Sequence, residues 1–270
     1  MTLPDENDAS GKGVKSFLGH LNDLRRALVW SVLAIVAGVL AAIPLAPTIL
    51  SWLKIPLRNA GKDPDQFLRV IDVSGGLSLA LSVILWSGAI LSAPFVIMAV
   101  AWFVFPGLTA RERRTVLDSL GFAVVLFALG VAVGYVMILG VTLQWMFQIN
   151  DWLGLKVEFI TVSTYADFVL KMLLGFGLAF EFPIIILALA RVGVVSCAFL
   201  RGKRRHVVVL LLTVSAIITP SVDPFTMTLL AVPLYLLYEM CIWMVWFMER
   251  RKKAKARTPD AGSRMPASPG

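Results

Sequence analysis

Six apolar runs separated by short polar or basic segments organise this chain, at about 28–45, 77–105, 116–146, 163–190, 207–218 and 225–248. All but the fifth fall within or above the roughly 17–25 residues that a helix needs to cross a hydrocarbon core about 30 Å thick. Backbone groups in lipid must find partners within their own segment, so these runs read as helices. Alternating ten-residue segments, the mark of a membrane barrel, do not occur. The expected fold class is all-α, a polytopic membrane protein with six transmembrane helices.

Ahead of the first run, Val14, Phe17, Leu18, Leu21, Leu24 and Leu28 recur at three- and four-residue steps. That spacing predicts an amphipathic helix lying along the membrane surface and turning into the first span. Pro44 and Pro47 are expected to end that span. Arg25 and Arg26 before an apolar stretch also resemble a cleaved secretory signal, but the run begins too late in the chain. Residues 1–13 and the basic 249–270 are expected to be disordered tails around a single membrane domain, 14–248. The longest polar connection is 46–76.

The fifth run predicts an unusual element. A helix over 207–218 spans about 18 Å, against a hydrocarbon core of about 30 Å. The turn TPSVDP leads straight back into the sixth run, so the two form a hairpin. Either that hairpin thins the bilayer locally or its neighbours shield it, and both readings stay open here.

Composition agrees with membrane insertion: 58% of residues are hydrophobic and mean hydropathy is +0.82, whereas soluble domains are about 45–50% apolar. The net charge of +8 does not indicate nucleic acid, because the bases sit in clusters between apolar runs. Lys and Arg concentrate before the first span, in 111–114, in 201–205 and after 249. The opposite loops carry Lys54, Arg58, Lys62, Arg69 and Lys156. The positive-inside rule therefore expects both termini in the cytoplasm. Cys197 and Cys241 read as reduced thiols, and His20 and His206 are too isolated for a metal site. No cofactor is expected.

Acids inside apolar runs are the candidate chemistry, since each costs about 2.5–3.5 kcal/mol at the centre of a membrane helix. Glu181, in LGFGLAFEFPIIILALAR, has no partner nearby in sequence and reads as a polar point in a cavity. Asp167 and Lys171 are spaced for an i,i+4 pair. Glu239 lies nearer the basic tail and reads as structural. Glu112 sits between Arg111 and Arg113, and Asp23 lies in HLNDLRR. If those two approach each other, they make a small anionic site within a cationic rim. Such a site favours a guanidinium, whose planar fork matches a carboxylate, over an ammonium.

Several segments, in order, resemble the TatC family, the multi-spanning receptor of twin-arginine protein translocation. HLNDLRRAL resembles the family's opening H-L-x-E-L-R, with Asp23 in place of the usual glutamate. ILSAPF and AWFVFPGLTARERR resemble its second helix and the segment after it, with Glu112 in the E-R-R position. FGLAFEFPI resembles the fourth-helix signature. LRGKRRHVVV and ITPSVDPFTMTLLAVPLYLLYE resemble the short fifth and sixth helices.

The resemblance covers roughly 14–248 and implies a cupped six-helix fold in the cytoplasmic (inner) membrane of a prokaryote. It implies a receptor that is not an enzyme, binds twin-arginine signal peptides of folded cargo, and works with TatA/TatB-type single-span partners and the proton-motive force. A homo-oligomer within a larger complex, surrounded by membrane lipids, is part of that expectation. Asp23, Glu112, Phe103, Leu108 and Arg25 would form the signal-peptide site. Glu181 and Pro94 would line an intramembrane groove. Asp223 would sit at the extracytoplasmic turn and Met227 at a partner contact. TPSVDP is one residue longer than the family's usual T-P-P-D, and some relatives carry a polar residue where Met227 stands. The alternative function is a proton-coupled transporter with Glu181 as its proton site. Against it, the sequence shows no internal repeat and no paired Gly/Pro breaks. An intramembrane protease would need a nucleophile and base, or paired aspartates, within the spans, and the runs supply neither.

Overall fold

A computed structural model of the chain describes residues 7–104, 110–218 and 224–257. It is helical almost throughout. The elements are α1 (Asn7–Asn59), α2 (Pro64–Phe67), β1 (Leu68–Arg69), α3 (Gly75–Val104), α4 (Ala110–Val133), a π-helical turn (Gly134–Ile138), α5 (Leu139–Trp152), β2 (Ile160–Thr161), α6 (Val162–Phe180), α7 (Phe182–Val192), α8 (Cys197–Gly202), α9 (Arg204–Ile218) and α10 (Pro224–Arg257). Among the described residues, five stretches are long and apolar enough to cross a membrane: Leu21–Asn59, Gly75–Val100, Gly121–Trp152, Val162–Arg191 and Pro224–Arg251. The fifth apolar run is α9, whose 15 residues span about 22 Å.

Four features depart from expectation. First, no turn separates the amphipathic segment from the first span, because α1 is one helix from Asn7 to Asn59. Breaking it would expose four orphan N–H and four orphan C=O groups at the membrane. Second, Pro44 and Pro47 lie inside α1 instead of ending it, as does Pro56. Membrane helices tolerate proline where other groups satisfy the freed carbonyls. Third, the 46–76 connection contains a strand: β1 pairs in parallel with β2, Leu68 opposite Ile160 and Arg69 opposite Thr161. Fourth, the fourth span is two helices, α6 and α7, with Glu181 between them. The helix boundaries also differ from the expected tails, since α1 begins at Asn7 and α10 continues to Arg257.

The chain forms two compact units, one built from residues up to Phe180 with 218–220, and the other from the rest of the chain from Glu181 onward. In the first unit α1 and α3 pack antiparallel through glycines. A methyl on Gly38 would lie 2.5 Å from the Gly88 carbonyl oxygen, and one on Gly88 would lie 2.6 Å from Val39 Cα. α4 and α6 meet the same way. A methyl on Gly130 would lie 2.7 Å from the Phe176 carbonyl oxygen, and one on Gly177 would lie 2.6 Å from the Phe127 ring. Such backbone approach is how membrane helices gain dispersion energy without a hydrophobic driving force.

Pro56 shows how α1 survives its prolines. It has no N–H, so the Trp52 carbonyl four residues earlier loses its helical donor. The Tyr135 hydroxyl, on the π-helical turn, donates to that carbonyl at 2.7 Å. The Tyr165 hydroxyl on α6 donates to the next carbonyl, Leu53, also at 2.7 Å. Tyr135 thus answers the carbonyl that Pro56 frees, and the two hydroxyls tie α6 and the π-helical turn to α1.

The second unit centres on α10. Ile186, Leu200, Tyr238, Ile242 and Val245 are buried together with Cys197 and Cys241. The Tyr238 hydroxyl donates to the Leu200 carbonyl at 2.7 Å and so anchors α8 to α10.

Tyr165→Phe removes this hydrogen bond to the Leu53 carbonyl and is expected to cost about 0.5–1.5 kcal/mol. Gly88→Val forces α1 and α3 apart, at a cost of about 1–3 kcal/mol. Both should lower the thermal unfolding midpoint of the detergent-solubilised protein, and an unchanged midpoint in either would contradict the packing described here.

Candidate functional site

Asp23 lies on α1 fifteen residues before Gly38, a helical distance of about 22 Å. Gly38 is level with Gly88 and Ser92 of the antiparallel α3. The same distance along α3 reaches Phe103 and the helix end at Val104. Asp23 is therefore level with the end of α3 from which the chain leaves for α4. Glu112 is the third residue of α4, although its side chain falls outside the described residues. Asp23, Arg25 and Arg26 are exposed, and among the described residues Asp23 forms no ion pair. Phe103 is half-buried. Leu108 and Asp223 lie outside the described residues.

Glu181 occupies the break in the fourth span. Pro183 cannot donate to the Ala179 carbonyl, so the regular ladder stops there. The Glu181 carbonyl restarts it by accepting from Ile184 N–H at 3.0 Å. The FEFP sequence thus couples a helix break to a carboxylate. Glu181 is only 2% exposed, and neither carboxylate oxygen has a hydrogen-bond partner among the described residues. The expected span over 163–190 is thus interrupted once, at Glu181. Apolar continuity from 163 to 190 hid the break, and Pro183 was the signal for it.

Other acids are answered by neighbours. Lys171 lies 3.6 Å from Asp167, as the i,i+4 spacing predicted, and its ammonium also sits 5.2 Å from the centre of the Trp86 ring. Glu239 accepts from Arg204 at 2.8 Å and from the Tyr235 hydroxyl at 2.9 Å, which bears out its structural reading. Pro94 is buried within α3, and Met227 is half-buried on α10. At the β1–β2 end of the first unit, Lys54 donates to Asp65 at 2.7 Å. That hydrogen bond and the ammonium's charge hold the Asp65 carboxyl below its usual range.

Sequence reasoning missed Glu249. Its Oε1 accepts from the Cys197 backbone N–H at 2.8 Å, and Ser196 Oγ accepts from Phe199 N–H at 3.2 Å. Together they satisfy the exposed donors at the start of α8. The link joins residues 52 positions apart, so no local spacing reveals it.

This architecture is matched by known proteins. The sequence profile described as "Sec-independent protein translocase protein (TatC)" matches residues 19–233. The chain belongs to the TatC family. Among its relatives, the Sec-independent protein translocase protein TatC of Koribacter versatilis (strain Ellin345) is 32% identical over 255 residues, covering 92% of each chain. The TatC of Aquifex aeolicus (strain VF5) is 30% identical, covering 87% of this chain and 96% of that one. A solved structure, the crystal structure of the twin arginine translocase receptor TatC in DDM, superposes with a TM-score of 0.74 at 30% identity. It covers 84% of this chain and 99% of its own. The protein is thus a multi-pass membrane component of Sec-independent protein translocation, with a TatC-like all-α fold.

Removing the Glu249 cap tests how tightly this TatC fixes its α8. Glu249→Ala is expected to cost about 1 kcal/mol of local stability. Cys197 is 5% exposed, so its labelling by a maleimide should speed up roughly fivefold in this variant. Labelling at the wild-type rate would show that the cap does not hold the segment.

Proposed function

We propose that this TatC is the receptor for twin-arginine signal peptides, with Asp23 and Glu112 receiving the arginine pair. The observation that carries the reading is the level of Asp23 on α1, beside the end of α3 that leads directly to Glu112. Arg25, Phe103 and Leu108 flank these acids and complete the peptide surface. Both carboxylates sit among bases, so a bound guanidinium gains a planar, bidentate partner that a single ammonium does not match.

Glu181 and Pro94 belong to an intramembrane groove that takes up the apolar part of the signal. Burial of Glu181 beside a proline break supports that role, because discontinuous helices in membranes occur where the freed backbone lines protein or a cavity. On this reading Asp223 belongs to the extracytoplasmic turn, and Met227 to the contact with a single-span partner of the TatA or TatB type. Both termini are cytoplasmic, in the inner membrane of a prokaryote. The orientation rests on the basic clusters at 111–114, 201–205 and 249–257. The opposite loops carry their bases singly, at Lys54, Arg58, Lys62, Arg69 and Lys156. Cargo crosses folded, in a larger assembly driven by the proton-motive force.

Glu112→Ala should abolish export of a twin-arginine reporter while the protein remains in the membrane at its normal level, and normal export would refute the assignment. Glu181→Ala should leave crosslinking of the peptide to position 112 intact but impair transport at a later step. Equal loss of crosslinking in that variant would mean the two acids do not act separately.

A further inference from the structure

The second unit carries a set of cations that its own acids do not answer. Glu239 is taken by Arg204 and Tyr235, and Glu249 is taken by the Cys197 N–H. Among the described residues, Arg201, Lys203, Arg205, Arg250 and Arg251 are exposed and form no ion pair. The sequence adds Lys252, Lys253, Lys255 and Arg257 on the helical continuation of α10. The two groups of cations share one end of the unit, because Glu249 reaches Cys197 at the start of α8 and Tyr238 reaches Leu200 near its end.

Aromatic rings organise these charges. The Arg250 guanidinium carbon lies 4.0 Å from the centre of the Trp246 ring, and that of Arg251 lies 4.4 Å from the centre of the Phe247 ring. Trp243 meets Trp246 edge-on, with ring centres 6.1 Å apart. Lys203 sits 6.0 Å from the Phe199 ring centre. Trp243, Phe247 and Phe199 are 66%, 50% and 53% exposed. Tryptophan at the end of a membrane span marks head-group depth. An arginine stacked on a ring keeps its N–H edge free for a bidentate anion and has already lost part of its rotamer freedom.

We propose that this end of the unit, the α8–α9 junction with the last turns of α10, binds the phosphate head groups of anionic phospholipids. Charge complementarity and depth select the ligand. The cations lie where a membrane-spanning helix leaves the hydrocarbon, and each cation near a lipid surface contributes about 1 kcal/mol toward anionic lipid. The exposed rings supply the apolar contact for the glycerol and upper acyl region. The site uses none of the residues given to peptide recognition, so the inference does not rest on the receptor reading.

The test uses the full-length protein in detergent, with phosphatidylglycerol and phosphatidylcholine of matched acyl chains titrated and bound lipid counted by native mass spectrometry. Phosphatidylglycerol should bind at least about tenfold more tightly. Arg250→Gln with Arg251→Gln should reduce that preference about tenfold, and Arg201→Gln with Lys203→Gln and Arg205→Gln should do the same. Arg58→Gln, in the first unit, should leave it unchanged. Equal binding of the two lipids, or an undiminished preference in both sets of variants, would overturn the proposal. If the α10 pair fails to insert, the α8–α9 set, on different helices, still decides the matter. Displacement by inorganic phosphate at the concentration of the lipid would assign the site to free phosphate and overturn the lipid reading. Crosslinking of a twin-arginine peptide to position 112 should persist in these variants, which separates failure of this inference from failure of the receptor reading.

Discussion

A backbone carbonyl in lipid has no water to turn to, and the prolines of this chain make that constraint visible. Pro44, Pro47, Pro56, Pro94 and Pro233 all lie inside helices, and each removes one ladder bond. At Pro56 the loss is met from outside the helix, by the hydroxyl of Tyr135, and the Tyr165 hydroxyl donates to the next carbonyl. Each hydroxyl is committed to one backbone acceptor, so a local defect becomes a tertiary contact. The π-helical turn at Gly134–Ile138 belongs to the same arrangement. It carries Tyr135, and its Gly134 packs closely on Phe176, since a methyl there would lie 3.0 Å from that ring.

Pro183 meets the constraint differently. The ladder simply restarts from the Glu181 carbonyl, and a carboxylate is left at the discontinuity. The acids of the chain then divide by how they are answered. Asp65, Glu239 and Glu249 each have a donor within 2.8 Å and hold elements in place. Asp167 shares Lys171 at a longer 3.6 Å, and its Oδ1 has no hydrogen-bond partner among the described residues. Asp23 is exposed and Glu181 buried, and among the described residues neither carboxylate makes an ion pair or hydrogen bond that holds the fold. Acids that hold nothing in place are the ones for which a role outside folding has to be sought.

Much of this was legible from the chain alone because membrane insertion simplifies the code. Apolar run length reported the helices, down to the short α9, and an i,i+4 spacing reported the Asp167–Lys171 pair. The HLNDLRRAL, ARERR and FEFP segments pointed to the family. What stayed hidden were contacts between residues distant in sequence. Nothing local in the chain links Pro56 to Tyr135, Glu249 to Cys197, or Leu68 to Ile160. Proline was misread at 44 and 47 by a rule from soluble helices, where water can satisfy the freed carbonyl and a helix end is cheap. In lipid an end costs more than a kink, so α1 continues. At Pro183 the opposite error arose, because an unbroken apolar run concealed a break that the proline itself announced.

The magnitudes also constrain how such a receptor works. An exposed carboxylate–arginine pair contributes about 0–1 kcal/mol, and salt screens it. On the proposed reading, two such pairs, at Asp23 and Glu112, would distinguish a guanidinium pair from other cations but hold it weakly. Burying the acids would strengthen the attraction only after a desolvation cost of several kcal/mol per ion. An exposed recognition point therefore has to be joined to a second source of affinity, and the apolar segment of a signal offers one at about 25 cal/mol per Å² removed from water. On that reading, aspartate where the family usually has glutamate at position 23 would act on the first component alone. It draws the carboxylate back by one methylene, so its effect would fall on the choice between arginines and not on the strength with which the apolar segment is held.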